Sequence, residues 1–128
     1  MRDYSESRIA SMKSAVLVAF LLLSSALPAF AQKNRSEAEK QVKFGITVAQ
    51  YSLWREAITR FERAADIDPT YAAAYNNLAI AYEHQGDLES ARKAYEKALK
   101  LEPKNQYIKQ NYELFREIND RANRQGSR

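Results

Sequence analysis

Few side chains in this 128-residue sequence have the types and spacing that catalysis needs. The chain has one histidine, His84, and no cysteine, which excludes a thiolate nucleophile and a zinc site built from several imidazoles of one copy. Asp66 and Asp68 could perform acid–base chemistry, but they precede Pro69, where a helix is expected to end. No phosphate-binding glycine loop and no G-x-S-x-G turn is present. We therefore expect no enzyme activity, no metal and no cofactor.

Aromatic and basic residues offer two other binding chemistries. Trp54 and the tyrosines could stack on nucleic-acid bases or on sugars. Of the seven tyrosines that follow residue 31, four fall instead at predicted core positions of helices, namely Tyr75, Tyr82, Tyr95 and Tyr112. The net charge of +4 comes from 20 basic and 16 acidic residues that are interspersed along the chain. This pattern predicts a solvated surface, and no nucleic-acid partner is expected.

The N-terminal segment has the organisation of a secretory signal peptide, predicted over residues 1–31. Lys13 precedes a continuous apolar run, Ala15–Leu23, and Ala29 and Ala31 supply the small residues of a cleavage site. The pattern predicts cleavage between Ala31 and Gln32, and hence a periplasmic or secreted protein of a bacterium. Met12 is a second candidate start, because the preceding residues are polar and partly acidic.

A retained membrane anchor is the alternative interpretation of this segment. The stretch from Ala15 to Ala31 contains Ser24, Ser25 and Pro28, and it is shorter than the roughly 20 apolar residues that a spanning helix needs. Pro28 is also expected to break the helix just before the cut. Contact with a membrane is therefore expected only through the signal segment before cleavage.

The rest of the chain contains an internal repeat with a period of 34 residues. Identical residues at this offset are Ala38 and Ala72, Ile46 and Ile80, Ala57 and Ala91, Glu62 and Glu96, Ala64 and Ala98, and Pro69 and Pro103. A period of this length indicates stacked pairs of helices.

Residues 72–105 resemble a tetratricopeptide repeat over their whole length. The large, small and turn residues of that family's pattern are Tyr75, Leu78, Ala79, Tyr82, Gly86, Leu88, Ala91, Tyr95, Ala98 and Pro103. Residues 38–71 resemble the repeat less closely, because Gln41 replaces the usual aromatic residue and Ser52 replaces the usual turn glycine. The resemblance implies an all-α fold, a short right-handed superhelix of antiparallel helix pairs.

Local signals predict where the helices begin and end. A mobile leader is expected at residues 32–37, and Ser36–Glu39 forms a capping box that is expected to open the first helix. Gly45 should be small because two helices approach closely there, and Gly86 should form a turn that Asp87 follows as a helix cap. Residues 106–123 are expected to form a capping helix with an apolar stripe, followed by a disordered tail at residues 124–128.

The resemblance also implies a concave groove, lined by the first helix of each pair, that binds extended peptides or partner helices. Carried over to this sequence, the groove residues are Val42, Ile46, Ala49, Ala73, Asn76, Ile80 and Glu83, with Asn111 and Leu114 closing the end. Val42 and Ile46 stand where the family's carboxylate-clamp members have Lys and Asn, which argues against binding of acidic C-terminal tails. Alternatively, Ile46 and Ile80 only complete the packing between helices.

The sequence thus predicts an exported adaptor or scaffold that binds a protein segment and supports assembly of an envelope complex. The alternative is an accessory module that recognises cell-wall sugar or peptide, or supports a cell-wall enzyme. Exposure of Tyr51 and Trp54 would favour the sugar, whereas burial of both beside an open Ile46–Ile80 stripe would favour a peptide. Two repeats and a cap form a small core, so weak self-association or a larger partner is also expected.

Overall fold

The computed structural model describes the backbone of residues 3–126, and the side chains of residue 8 and of residues 28–126. Its elements are α1 (Asp3–Gln50), α2 (Trp54–Ile67), α3 (Ala72–Gln85), α4 (Leu88–Leu101) and α5 (Gln106–Gly126). Within that range every regular element is an α-helix, which confirms the predicted all-α class. The chain divides into two units, residues 1–34 and residues 35–128.

The first unit holds the beginning of α1, which passes through Pro28 without a break. The predicted helix start at Ser36 is not observed, because α1 runs through it, and the predicted leader at residues 32–37 is helical. Most leader residues are good helix formers, so nothing local stops a helix that begins upstream. The side chains of Met12 and of Ala15–Leu23 lie outside the described set. In the part of the chain that the structure describes, no helix is long and apolar enough to cross a membrane.

The core of the second unit is made of small side chains between closely packed helices. Ala57 and Ala64 of α2 are completely buried, and Phe61 between them fills the space beside Gly45 of α1. A Cβ atom placed on Gly45 would lie 2.5 Å from Cε1 of Phe61. The expectation that Gly45 is small because two helices approach closely is therefore confirmed.

Two turns lie at equivalent positions of the repeat, one after α1 and one after α3. Ser52 and Gly86 are 34 residues apart and both have left-handed backbones, with φ of 60° and 76°. After Gly86, the Asp87 carboxylate accepts a hydrogen bond of 3.1 Å from the Ser90 N–H, which confirms the predicted cap of α4. The corresponding N-cap of α2 is Leu53, which makes no side-chain cap.

The last helix, α5, packs on the preceding helices through Ile108 and Phe115. Its first turn is capped by Asn105, whose Oδ1 accepts hydrogen bonds from the backbone N–H groups of residues 107 and 108. Glu117 and Arg121, one turn apart on this helix, form an ion pair of 2.6 Å. The helix continues to Gly126, so residues 124–126 of the predicted tail are helical, and the remaining two lie outside the described residues.

Candidate protein-binding groove

Three aliphatic side chains occupy the same position of the 34-residue period on three different helices. They are Ile46 of α1, Ile80 of α3 and Leu114 of α5. Ile46 is 40% exposed, Ile80 is half-buried and Leu114 is 57% exposed. Ile118, one turn after Leu114, is 56% exposed. The three helices thus present a row of aliphatic side chains that the fold itself does not cover, and we call these four residues the aliphatic row.

Ile46 and Ile80 line one cleft between α1, α2 and α3. The cleft has a volume of about 240 Å³, and its walls are Ile46, Ala49, Gln50, Trp54, Phe61, Asn77 and Ile80. None of these side chains carries a charge. Sites for free small molecules usually enclose about 300–1,000 Å³. The cleft is smaller than that range and has about the size of one apolar side chain, and Ile80 also packs against the core.

One end of this cleft carries a stack of two rings. The His84 imidazole lies parallel to the Trp54 indole, with ring centroids 3.7 Å apart and planes inclined by 2°. His84 is exposed and Trp54 is half-buried. Tyr51 is 75% exposed. Tyr51 has the exposure that sugar recognition requires, whereas Trp54 does not, because His84 covers one of its faces. Neither Tyr51 nor Trp54 has the burial that was expected for a peptide groove.

Two residues predicted in the groove are instead buried between helices. Val42 belongs to the core, and Asn76 is only 2% exposed. The Asn76 Oδ1 accepts a hydrogen bond of 3.0 Å from Nδ2 of Asn111, which joins α3 to α5. Asn76, predicted to line the groove, is therefore buried, and its amide is bonded to Asn111 and links α3 to α5.

The remaining predicted groove residues differ in what they can contact. Ala49 lines the cleft, and Ala73 is half-buried with its carbonyl accepting a hydrogen bond from Nδ2 of Asn77. The Glu83 carboxylate accepts a hydrogen bond of 2.5 Å from the Tyr95 hydroxyl. Burial first, and then this carboxylate, raise the pKa of Tyr95, so the phenol stays protonated and holds α4 on α3.

Three of the four tyrosines assigned to the core donate hydrogen bonds to carboxylates, partners that the sequence did not indicate. The Tyr82 hydroxyl donates to Glu62 at 2.8 Å, and the Tyr112 hydroxyl donates to Glu96 at 2.9 Å. Burial, followed by the bond to Glu62, raises the pKa of Tyr82 to about 12. Glu62 and Glu96 are identical residues at the repeat offset. That identity was the one sequence signal for these hydrogen bonds. They connect α2 to α3 and α4 to α5, and thus join each helix pair to the next helix.

Arg35, predicted to lie in a mobile leader, is fixed by the loop after α2. Its Nε lies 2.6 Å from Oδ2 of Asp68, and its guanidinium lies 4.4 Å from the centre of the Tyr71 ring. Burial alone would raise the pKa of Asp68, but hydrogen bonds from Thr70 and Arg35 outweigh it and lower that pKa. A buried, ionised and fully engaged carboxylate is structural, so Asp68 is not available as an acid or base.

Comparison with family models identifies the repeated part of the chain. A model described as "Tetratricopeptide repeat" matches residues 72–105, and one described as "TPR repeat" matches residues 54–86. The chain therefore carries tetratricopeptide repeat (TPR) sequence over residues 54–105, in agreement with the resemblance seen in its residues.

The curated relatives are much longer than this chain. It is 36% identical over 72 residues to a probable UDP-N-acetylglucosamine–peptide N-acetylglucosaminyltransferase SPINDLY of Petunia hybrida, a match to 56% of this chain and 8% of that protein. It is 34% identical over 62 residues to the Hsp70–Hsp90 organizing protein of Triticum aestivum, which covers 48% of this chain and 11% of that protein.

Solved structures agree in fold. The TPR domain of Sgt2 from Aspergillus fumigatus covers 85% of this chain with a TM-score of 0.64, and the match spans 76% of that domain. The TPR domain of Arabidopsis OM64 covers 69% with a TM-score of 0.63, and 73% of that chain is matched. Sequence identity is 22% in both cases, so these matches establish the helical-repeat fold alone.

Proposed function

We propose that this TPR-containing chain is an exported adaptor that binds a segment of another protein in its concave groove and supports assembly of a complex in the cell envelope. The observation that carries the proposal is the open, uncharged cleft between Ile46 and Ile80. Exposed aliphatic side chains that converge on a cleft gain free energy when a partner covers them, at about 25 cal/mol for each Å² of apolar surface buried.

The proposed adaptor is non-catalytic. The one imidazole, His84, is stacked on Trp54, and the buried Asp68 is held by Arg35 and Thr70. These are two of the three titratable groups that the sequence singled out for chemistry, and both are engaged in structural contacts. The third, Asp66, is exposed at the end of α2. The partner is a protein or peptide segment, with no role for nucleic acid.

Export rests on the signal-peptide pattern before Gln32. The mass of the protein isolated from its host tests this part of the proposal. We expect a chain that begins at Gln32, found in the periplasm or the medium. A membrane-bound product with an intact N-terminus would identify the apolar run as an anchor, and a precursor beginning within residues 1–11 would rule out Met12 as the start.

The second candidate function is recognition of a cell-wall sugar, and the exposed Tyr51 is the observation that favours it. Sugars bind to flat aromatic faces, and Tyr51 lies in the turn before Trp54. Binding of cell-wall fragments that is lost in Tyr51→Ala and retained in Ile46→Glu would support this function over the adaptor.

The adaptor is tested by affinity capture from the source envelope with the wild-type chain and two variants. Ile46→Glu/Ile80→Glu places charges in the cleft. Leu88→Glu is the matched control, because Leu88 is an exposed apolar residue that does not line the cleft. We expect a partner that the double variant loses and the control retains, both variants being folded by circular dichroism. A partner retained by both variants would refute a function in the groove.

A further inference from the structure

We infer that the chain has a second binding site, on the opposite side of α3 from the groove, which takes an acidic residue and an adjoining aromatic residue of a second partner protein. This site goes beyond the groove. It rests on the proposed adaptor function for its role, which is to hold two protein segments together on one small scaffold. An open cleft between α3 and α4 and the charges of its walls carry the inference.

The cleft has a volume of about 290 Å³ and is open to solvent. The residues that define what we call the lysine cleft are Tyr75, Leu78, Tyr82, Ser90, Lys93, Ala94 and Lys97. Its base is apolar, because Leu78 and Ala94 line it and are themselves almost buried. Sites for free small molecules usually bury about 70–90% of the surface of the ligand, which an open cleft with walls on two helices does not do. The lysine cleft therefore suits a segment of a larger partner that lies across it.

The lysine cleft and the groove use opposite sides of α3. Asn77 and Ile80 line the cleft of the groove, whereas Tyr75 and Leu78 line the lysine cleft. Tyr75 is two positions from Asn77, and Leu78 is two positions from Ile80. Residues two positions apart in an α-helix point about 200° away from each other. A segment bound in the groove therefore leaves the lysine cleft open, and the chain can hold two segments at once.

The charge of the lysine cleft is positive, because its lining contains two lysines and no carboxylate. The Lys97 ammonium has no ion pair among the described residues, and it lies 5.6 Å from the centre of the Tyr75 ring, which places positive charge beside apolar surface. Lys93 lies 3.4 Å from the Glu89 carboxylate, but both side chains are exposed, and exposed pairs contribute little. A carboxylate of a partner would complement these lysines.

The tyrosine hydroxyls of the lysine cleft are already bonded within the protein. The Tyr82 hydroxyl donates to Glu62 at 2.8 Å, and the Tyr75 hydroxyl donates to the Pro69 carbonyl at 3.3 Å. These two residues therefore offer a partner the surface of their rings, on which another aromatic ring packs well. Because the lysines and the rings line the same small cleft, the matching segment has its acidic and aromatic residues next to each other.

The test titrates capped hexapeptides into the isotope-labelled full chain and follows its amide signals by NMR. The first peptide has adjacent aspartate and phenylalanine between glycine and serine residues. The second carries asparagine in place of the aspartate, and the third carries serine in place of the phenylalanine. The fourth probe, phenylpropionate, has a carboxylate and a ring without a peptide.

We expect the first peptide to bind with a Kd below about 1 mM, at least about five-fold more tightly than the other probes, and to shift amide signals of residues 90–97. Lys93→Gln/Lys97→Gln should weaken this binding at least about five-fold. Lys40→Gln/Lys43→Gln is the matched control and should leave the Kd unchanged. It removes two exposed lysines outside both clefts, one of them paired with a glutamate as Lys93 is. Lys93→Glu/Lys97→Glu should favour a peptide in which lysine replaces the aspartate.

Equal binding of the asparagine peptide, or an equal effect of the two glutamine variants, would show that the lysine cleft does not recognise a carboxylate, and either result overturns the inference. Tighter binding of phenylpropionate would assign the cleft to a free small molecule and overturns it too, as does the absence of binding by all four probes. Ile46→Glu/Ile80→Glu should retain the first peptide, and its loss would place the peptide in the groove and refute a second site. Capture of an envelope partner that Ile46→Glu/Ile80→Glu loses would, in any of these cases, leave the adaptor function standing.

Discussion

Replacement of Gly45 by alanine sets helix propensity against packing. In the interior of an isolated helix, alanine is more favourable than glycine by about 1 kcal/mol. In this chain the added Cβ would lie 2.5 Å from Cε1 and 2.8 Å from Cδ1 of Phe61. Carbon atoms in favourable contact are about 3.5–4.0 Å apart, so the overlap is about 1 Å.

The Phe61 ring has little freedom to move away. It is buried, and the residues on either side of it on the same face of α2, Ala57 and Ala64, are completely buried. Overpacking of such a site costs about 1–3 kcal/mol. With the gain in propensity subtracted, Gly45→Ala should lower the free energy of unfolding by about 0–2 kcal/mol, and the Tm by about 4–8 °C for each kcal/mol.

A double-mutant cycle with Phe61→Leu separates the two terms. The smaller side chain removes the ring edge that meets the new methyl group, so Gly45→Ala should become neutral or stabilising in that background. Urea unfolding followed by circular dichroism gives the four free energies. Ala79→Gly, at the equivalent position of the next repeat, is the control. Because Ala79 is completely buried, it should cost about 1 kcal/mol from propensity and about 0.8 kcal/mol from the lost methyl group. The reasoning is refuted if Gly45→Ala stabilises the wild-type chain, or costs the same in both backgrounds.

Three further predictions concern the turns, the partly buried ion pair of Arg35 and Asp68, and the amide oxygen of Gln41. Ser52→Gly should stabilise the chain by about 0.5–1 kcal/mol, because glycine adopts the left-handed backbone without strain. Gly86→Ser should destabilise the chain by about as much for the same reason. Urea unfolding measures both effects, and no change at either site would contradict the prediction. The lowered pKa of Asp68 means that the ionised form stabilises the fold above about pH 4 and that the effect is lost as pH falls through the folded-state pKa. Asp68→Asn should therefore cost about 1 kcal/mol near pH 7 and clearly less near pH 3, and a pH-independent difference in thermal unfolding would argue against the Arg35 pair. Gln41→Leu should raise the free energy of unfolding by about 1 kcal/mol, because the Gln41 Oε1 is buried without a hydrogen bond among the described residues; a loss of stability would show that this amide is needed.

The features that could be predicted from sequence are those set by residues near each other or by the repeat. Gly45 indicated a close approach because a glycine inside a helix needs a packing reason. Ser52 could be placed in a turn because it stands at the offset of Gly86, and both adopt the left-handed conformation. The row of Ile46 and Ile80 followed from the same offset.

The features that could not be predicted are contacts between side chains far apart in the chain. Arg35 and Asp68 are 33 residues apart, and Asn76 and Asn111 are 35 residues apart. No local pattern distinguishes an asparagine that faces solvent from one that bonds a neighbouring helix. The stack of His84 on Trp54 depends in the same way on how α2 and α3 meet. Burial of Val42 was missed because a groove position and a core position differ by a small rotation of the helix.

The residues of α5 support the proposal that binding by this helix takes place in the groove and not on its outer side. Glu113 stands at the repeat position of Gly45 and Ala79, where a following helix would need close approach. Lys109 lies one turn before it, with its ammonium 4.0 Å from the Glu113 carboxylate. A charged, bulky face at this position cannot receive another helix without burying the pair, which is costly. The large apolar side chains that α5 leaves exposed are instead Tyr107, Leu114 and Ile118. Leu114 and Ile118 belong to the aliphatic row, so α5 adds exposed apolar surface to the proposed groove.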